Sequence, residues 1–342
     1  MSKRKKKIKL KRSILFLGVL LLISGSYFYF TKKEEGLEFP ILHEKEKREQ
    51  QEREEAEARE KQEAYNTCIN KPFEETELTE ELASLKQAIN RTINNNQYKA
   101  SVYYEDLTTG FTYTYKPQTV YYGASLIKLV DALYLINKAI DGSIDLDTET
   151  IVYTTEYKKA FSSGMKTHNY GEAISLRNLI SYAISVSDNS AHIMLYDYIG
   201  RENLKAYGQS LGAKNILTSG TDKFGNQTAE DTNLYLKEAY RIIKENEEFG
   251  PFLKGIMDNN VRNSFNTDTI KIYHKYGACD PYYYHDIGLN LGSHPYAISI
   301  LTLHENSNYK EVVQIIHEKI IELQNVFYAT RENNCHLEVY GN

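Results

Sequence analysis

Residues 121–130 read YYGASLIKLV, and the apolar run continues through DALYLINKAI to residue 140. Its apolar side chains recur at helical spacing, which predicts one long helix from about Ser125 to Ile140. Ser125 and Lys128 are three residues apart on this helix, so the hydroxyl and the amine share a face and can meet. Because an apolar setting disfavours the ammonium form, such a lysine can activate a serine nucleophile. The spacing also suits a lysine whose stem lies along a core helix, so other motifs must decide.

The segments on either side of this helix predict the rest of the fold. Alternating β-branched and aromatic residues around the turn at residues 108–110 predict a hairpin. Residues 175–258 are mostly helical in pattern. We therefore predict an α/β fold of the α+β type, in which terminal helices flank one antiparallel five-stranded sheet and an all-helical lobe is inserted. The predicted segments are helix 79–93, hairpin 99–116, strands 269–277, 286–292 and 296–304, and helix 309–327.

Two further short motifs follow the first helix. Residues 187–189 (SDN) lie between helical segments, where they are typical of a helix N-cap. Residues 275–277 (KYG) end the predicted strand IKIYHKYG. With SLIK at residues 125–128, they follow the order S-x-x-K, S-D-N and K-T-G, the signature of class A β-lactamases and penicillin-binding proteins. The chain resembles that family over roughly residues 75–328.

The resemblance implies a role for each matching residue. Ser125 would be the acylated nucleophile, and Lys128 would help to remove its proton. Ser187 would pass a proton to the leaving nitrogen, supported by Lys275, whose charge would also attract the substrate carboxylate. Backbone N–H groups of Ser125 and Ala278 would form the oxyanion hole. The other expected substrate-binding residues are Asn189, Tyr276, Gly277 and Ala278.

The third motif departs from the family pattern. Tyr276 replaces the small hydroxyl residue that would help to bind the substrate carboxylate. The next predicted strand contains no arginine that could take over this contact, and His285 is the nearest basic residue. We therefore expect substrate recognition to differ from that of typical members.

The loop that supplies the deacylation base in class A β-lactamases also departs from the pattern. The corresponding segment here reads TSGTDKFGNQTAEDT and contains no glutamate with an asparagine four residues later. Asp222 and Asn226 have that spacing, but Gly225 replaces the usual leucine. Asp222 is therefore either a possible deacylation base or a turn residue. We expect weak or absent deacylation.

The expected function is that of a serine hydrolase acylated by β-lactams or by acyl-D-Ala-D-Ala peptides of peptidoglycan. One alternative is a D,D-carboxypeptidase or penicillin-binding protein with the same Ser125. Another is a non-catalytic surface domain that binds wall peptides. No metal or cofactor is expected, because the nine histidines are scattered and no His-x-x-x-His pair occurs. The net charge of -5 gives no reason to expect nucleic acid as a partner.

The N-terminal region predicts attachment to the bacterial membrane. Residues 1–12 form a basic tail, and residues 13–30 (SILFLGVLLLISGSYFYF) are uncharged and long enough to cross a bilayer. The positive flank places the N-terminus in the cytoplasm and the rest outside the cell. A cleaved signal peptide is the alternative, although no convincing cleavage site follows. Residues 31–65 predict a charged helical stalk, and residues 66–342 the extracellular hydrolase domain.

Three cysteines follow the predicted anchor. Cys68 opens the folded region and Cys335 closes it, so a disulfide between them would tie its ends together. Three pairings are nevertheless possible, and the sequence does not choose among them. Cys279 falls beside the expected site, but Ala124 precedes the nucleophile, so these two positions cannot form a disulfide.

Overall fold

Five antiparallel strands form the central sheet of the protein. The computed structural model describes residues 40–95, 98–218, 222–265, 267, 270–303 and 309–341. The strands are β1 (Lys99–Asp106), β2 (Thr112–Tyr115), β3 (Tyr121–Tyr122), β4 (Thr150–Val152), β5 (Ala173–Ser175), β6 (Asn226–Gln227), β7 (Tyr273–Cys279), β8 (Tyr283–Asn290) and β9 (Tyr296–Leu303). The sheet has the order β2-β1-β9-β8-β7, and every neighbouring pair is antiparallel. The predicted five-stranded antiparallel sheet is confirmed.

The helices lie where the periodicity predicts them, with some differences at their ends. They are α1 (Pro40–Asn70), α2 (Glu80–Asn95), α3 (Ile127–Ile140), α4 (Leu176–Ser185), α5 (Asn189–Ile199), α6 (Arg201–Ser210), α7 (Ala229–Glu245), α8 (Phe249–Asp258) and α9 (Tyr309–Tyr340). Helix α9 continues beyond the predicted end at residue 327. Helix α3 begins two residues after Ser125, which instead lies in the 3₁₀ turn Ala124–Leu126. The predicted start at about Ser125 therefore lies two residues before the observed one.

Strand β9 shows how the sheet separates two apolar cores. Side chains alternate between the faces of a strand. Ala297 and Leu301 accordingly pack in the core shared with the helical lobe, while Ile298 and Ile300 pack in the core beneath the terminal helices. Apolar side chains of α9 such as Val313 complete the second core. A strand buried on both faces has no regular polar alternation, which explains the mostly apolar composition of YAISILTL.

A disulfide joins the two ends of the folded region. Cys68 and Cys335 are bonded, and Cys279 is free and exposed. The neighbouring Arg331 is buried and donates five hydrogen bonds, two to the carboxylate of Glu77 and three to the carbonyls of Ile69, Lys71 and Pro72. These contacts attach the chain around residues 68–77 to α9.

The N-terminal part of the chain is a separate unit. Contacts between Cα atoms divide the chain into Met1–Ala64 and Tyr65–Asn342. Residues 46–64 of α1 are almost entirely exposed, with pairs such as Lys61–Glu57 at 2.7 Å along the helix. The predicted basic tail and membrane anchor lie outside the described residues. Within the described ranges, none of the helices combines the length and the apolar character that crossing a bilayer requires.

Candidate active site

Ser125 lies at the mouth of a cleft between the helical lobe and the sheet edge. The cleft has a volume of about 300 Å³ and is also lined by Ser187, Asn189, Tyr276 and Ala278. The residue before the serine, Ala124, has a φ of +46°, which is costly for a residue with a Cβ atom. Ala124 opens the 3₁₀ turn Ala124–Leu126, which contains Ser125 and leads directly into α3 at Ile127. Strained backbone of this kind concentrates at functional sites.

Lys128 lies in the first turn of α3 with its side chain fully buried. Its Nζ donates to the carbonyl oxygen of Ser187 at 2.6 Å, to Oδ1 of Asn189 at 2.7 Å and to Oγ of Ser187 at 3.3 Å. Burial lowers the pKa of Lys128 to about 7, against the opposing effect of the nearby carboxylates of Asp188 and Asp131. Among the described residues, the amine makes these three hydrogen bonds and none to Ser125. Lys128 can therefore exist as a neutral amine near physiological pH.

Ser187 stands between two lysine amines. Its hydroxyl accepts a hydrogen bond from Lys275 Nζ at 2.9 Å as well as the contact from Lys128. Ser187 has a φ of +54°, which turns the chain sharply between α4 and α5. Burial lowers the pKa of Lys275 well below its usual value, and the charge of Lys128 lowers it further, while Asp286 opposes the shift. Two amines that disfavour each other's charge around one hydroxyl provide a route for proton transfer.

The next two residues hold this arrangement in place. Asp188 caps α5 by accepting a hydrogen bond from the backbone N–H of Ala191 at 2.9 Å, and also accepts one from Met165 at 2.9 Å. The helix-cap interpretation of the SDN segment is therefore confirmed for Asp188. Asn189 accepts from Lys128 and donates Nδ2–H to the carbonyl of Ala160 at 2.9 Å. Its amide is thus held at the cleft wall in one orientation.

Gly277 allows β7 to approach the turn that carries Ser125. A Cβ atom at this position would lie 2.8 Å from the carbonyl oxygen of Gly123 and 3.0 Å from Cγ of Leu126. Any larger residue would therefore push the strand away from the serine. This close approach brings Ala278, the next residue of β7, to the cleft. The KYG segment and the Ser125 turn thus form opposite walls of the same site.

The fold brings Ser125, the two lysines around Ser187 and the strand that contains Gly277 together, as the motifs predict. A comparison with known protein families identifies the same type of protein. The model of the beta-lactamase enzyme family matches residues 84–319. The chain belongs to the beta-lactamase enzyme family. The protein is therefore a serine hydrolase of the β-lactamase type. No curated protein sequence matches the chain.

Solved structures show the same beta-lactamase fold. TLA-3 extended-spectrum beta-lactamase is 18% identical with a TM-score of 0.64, covering 71% of this chain and 98% of its own. A beta-lactamase from Chitinophaga pinensis is 18% identical with a TM-score of 0.64, covering 71% and 100%. A mutant of PBP-A, solved as an acyl-enzyme complex with penicillin G, is 16% identical with a TM-score of 0.65, covering 71% and 97%. At these identities the likeness shows the fold alone.

Three residues that line the cleft of this beta-lactamase-family protein are missed by the sequence motifs. Arg262 lies between α8 and β7, and its guanidinium is 5.4 Å from the ring centre of Tyr276. Phe161 has a φ of +58° and is 84% exposed, and Phe224 lines the same cleft. All three come from irregular segments without periodicity or a motif, so no sequence signal indicates them. They add a cation and two aromatic rings to the site.

Tyr276 and His285 take different places from those that the sequence suggests. The ring centre of Tyr276 lies 4.3 Å from Lys275 Nζ and 5.4 Å from the guanidinium of Arg262. His285 is fully buried: it accepts a hydrogen bond from the N–H of Thr302 and donates one to the carbonyl of Tyr122. Burial lowers the pKa of His285 to about 4. His285 is therefore neutral and braces the backbone before Ser125, and Arg262 is the exposed cation at the cleft.

Asp222 is held by its own loop. Its two carboxylate oxygens accept hydrogen bonds from the backbone N–H groups of Phe224 and Gly225, each at 3.0 Å. Asp222 lines a neighbouring cavity of about 570 Å³ instead of the cleft that contains Ser125. This is the geometry of a turn residue. A role as deacylation base remains a prediction.

Proposed function

We propose that the protein is a membrane-anchored, extracellular member of the family that is acylated at Ser125 and releases the acyl group slowly. The acyl donors are β-lactams or the acyl-D-Ala-D-Ala ends of peptidoglycan stem peptides. The observation that carries the proposal is the fully buried amine of Lys128, held beside the Ser187 hydroxyl in the cleft that Ser125 lines. A domain that only binds wall peptides has no need of a buried amine, which is costly to keep.

We propose one sequence of proton transfers, of which the steps through the Ser187 hydroxyl are supported by its contacts with Lys128 and Lys275. Ser125 Oγ attacks the substrate carbonyl and its proton passes to neutral Lys128, while the N–H groups of Ser125 and Ala278 stabilise the oxyanion. The C–N bond then breaks, and the Ser187 hydroxyl donates its proton to the leaving nitrogen. The Lys128 ammonium returns a proton to Ser187, with which it is in contact. The products are an acyl ester on Ser125, a protonated leaving nitrogen and a neutral Lys128.

Acylation should become faster as the pH rises through about 7. The pKa of Lys128 is lowered to about 7, so the neutral amine that accepts the serine proton becomes the main form above that pH. Below it, the ammonium form accumulates and the rate should fall by about tenfold per pH unit. Stopped-flow acylation with a chromogenic cephalosporin between pH 5 and 9 measures this dependence. A rate that is constant across this range would contradict the assignment of Lys128 as the base.

Arg262 is proposed to bind the substrate carboxylate. It is the exposed cation of the cleft, whereas Lys275 is fully buried and bonded to Ser187. Arg262→Gln should lower the second-order rate constant of acylation by about tenfold through weaker binding, since a charge-assisted contact is lost. Lys271→Gln is the matched control, because Lys271 pairs with Asp258 away from the cleft lining. Equal rates for Arg262→Gln and the control would contradict this role.

Slow deacylation is proposed because both oxygens of Asp222 are occupied by backbone donors of its loop. A general base contributes about 10²–10⁴-fold to the step that it assists. Asp222→Asn should therefore change the lifetime of the acyl-enzyme by less than about threefold. Mass spectrometry of the pre-formed acyl-enzyme measures this lifetime. A lifetime at least tenfold longer in Asp222→Asn would instead identify Asp222 as the base.

Membrane attachment rests on the basic run and on the uncharged residues 13–30 that follow it. The Cys68–Cys335 disulfide supports an extracytoplasmic location, because disulfides persist in oxidising compartments. Full-length protein should be found in the membrane fraction, and protein lacking residues 1–31 should not. Recovery of the full-length protein in the cytoplasm would contradict this part of the proposal.

The acylation proposal has a direct test. The protein is incubated with benzylpenicillin, digested, and searched for a penicilloyl group by mass spectrometry of its peptides. We expect the adduct on the peptide that contains Ser125, and none on Ser125→Ala. An adduct on another residue, or none on the wild type with either benzylpenicillin or an acyl-D-Ala-D-Ala peptide, would contradict the proposal.

A further inference from the structure

The loop between β4 and β5, residues 153–172, contributes to the active-site cleft and to two neighbouring cavities. The first cavity has a volume of about 570 Å³ and shares Phe161, Asn189 and Phe224 with the cleft. The second cavity has a volume of about 250 Å³. Because Lys159 lines both cavities, the cleft and the two cavities follow one another along this loop.

Hydrogen bonds attach this loop to the SDN motif and the residue after it. The backbone N–H of Asn189 donates to the carbonyl of Phe161 at 3.2 Å, and its side-chain amide donates to the carbonyl of Ala160 at 2.9 Å. The backbone N–H of Lys159 donates to Oγ of Ser190 at 3.0 Å. Since Lys159 is held through its backbone, a change of its side chain leaves this attachment in place.

Three lysines of the loop surround the 250 Å³ cavity with exposed side chains. They are Lys158, Lys159 and Lys166, here called the lysine cluster. Within the described part of the chain, none of their ammonium groups lies within 4.0 Å of a carboxylate oxygen. Lys159 Nζ donates instead to the backbone carbonyl of Glu156 at 3.2 Å. The cluster therefore presents three positive charges to solvent at this cavity.

The carboxylates near the lysine cluster have other partners or lie outside the cavities. Glu172 accepts a hydrogen bond from Nδ2 of Asn169 and lies close to Nδ1 of His168, each at 2.8 Å. Glu156, the other carboxylate of the loop, lines neither cavity. In the larger cavity, Asp222 accepts two backbone N–H groups of its own loop. A carboxylate supplied by a ligand would therefore balance the charge of the cluster.

A donor bound in the cleft extends towards the lysine cluster. In the proposed function, Arg262 binds the C-terminal carboxylate of the donor and Ser125 attacks its carbonyl carbon. The 570 Å³ cavity joins the cleft at Phe161 and Phe224, and Arg262 does not line this cavity. The part of the donor on the acyl side of the scissile bond accordingly has its room in this cavity, beside Lys159.

We propose that the lysine cluster binds a carboxylate on the acyl side of the donor, so that the preferred substrate is an acidic stem peptide. The inference rests on the proposed function, because that function places the donor carbonyl at Ser125. A stem peptide has such a group where a γ-linked D-glutamate keeps its α-carboxylate free, and lacks it where this group is an amide. Charge-assisted contacts with the cluster distinguish the two forms.

The test uses two pentapeptides that end in D-Ala-D-Ala and differ only in this α-carboxyl group, which is a free acid in one and an amide in the other. The D-Ala released in the first turnover gives the rate constant of acylation for each peptide. For the wild type, the acid peptide should react about fivefold faster per unit concentration, the effect of one exposed charge pair. In the triple variant Lys158→Gln/Lys159→Gln/Lys166→Gln this ratio should fall to about one.

The matched control is the triple variant Lys214→Gln/Lys244→Gln/Lys319→Gln. It also removes three positive charges, from lysines that line neither the cleft nor the two cavities. Its ratio of rate constants should equal that of the wild type. Lys159→Gln alone is the second cluster variant if the triple variant fails to fold, and it should lower the ratio by about twofold.

A ratio of about one for the wild type, or equal ratios for the cluster and control variants, would overturn the inference. Binding of the two peptides to Ser125→Ala, measured by fluorescence anisotropy, separates the inference from the proposed function. A preference for the acid peptide that depends on the cluster, without acylation of the wild type by either peptide or by benzylpenicillin, would sustain the inference and overturn the proposed function. Acylation of Ser125 by both peptides at equal rates would do the reverse.

Discussion

Lys128→Met is expected to lower the rate of acylation of Ser125 by about 10²–10⁴-fold, the usual contribution of a positioned base. The methionine fills nearly the same volume within the buried first turn of α3 but cannot accept a proton. It also removes the donor that contacts the Ser187 hydroxyl. The measurement is the rate of penicilloyl adduct formation by quenched-flow mass spectrometry.

Lys138→Met is the control for this loss. Lys138 lies in the last turn of the same helix and pairs at the surface with Asp141 at 3.2 Å. The acylation rate of Lys138→Met should match that of the wild type. A rate for Lys128→Met within a few-fold of the control would show that another group accepts the proton of Ser125, and Lys275 would be the first candidate.

Arg331→Met is expected to lower the free energy of unfolding by about 3–5 kcal/mol. The guanidinium is 2% exposed and makes five hydrogen bonds, so its loss leaves the Glu77 carboxylate and three carbonyls without their donor. The carbonyls belong to the chain just after Cys68, which the disulfide and the contact of Phe73 with Phe327 would still hold to α9. Urea denaturation followed by circular dichroism measures the difference.

Lys319→Met on the same helix provides the comparison. Its ammonium pairs with Glu322 at 2.8 Å, but both side chains are nearly half exposed. Exposed pairs contribute about 0–1 kcal/mol, so this variant should unfold almost as the wild type does. Equal stability of the two variants would show that the Arg331 contacts contribute little beyond the disulfide.

Local patterns are sufficient to predict the sheet and to single out motif residues that the fold brings to one cleft. The alternation in the hairpin that contains β1, and the helical spacing of the run to Ile140, each reflect one buried face. Gly277 follows from the family motif, and the structure supplies its reason in the close approach to Gly123. The predicted helix start lies two residues before the observed one because Ser125 belongs to a 3₁₀ turn that leads into α3, and no residue type marks where that turn becomes the helix.

The remaining features depend on contacts between distant parts of the chain. Arg262 reaches the cleft from a loop, and only the folded chain brings it to Tyr276. Asp131 and His192 are 61 residues apart in sequence and meet across helices α3 and α5. No local pattern in the sequence indicates this contact. The sequence indicates His285 as a candidate cation, because burial and hydrogen-bond partners cannot be seen in a single sequence.

One experiment measures both the acylation of Ser125 and the slow release of the acyl group. The protein is mixed with a small excess of benzylpenicillin, and intact mass and remaining antibiotic are followed together. We expect a penicilloyl adduct that forms completely and persists after the free antibiotic is removed, with about one equivalent consumed and no adduct on Ser125→Ala. Continued consumption of antibiotic with only a transient adduct would contradict slow release, and the absence of any adduct would contradict acylation by β-lactams.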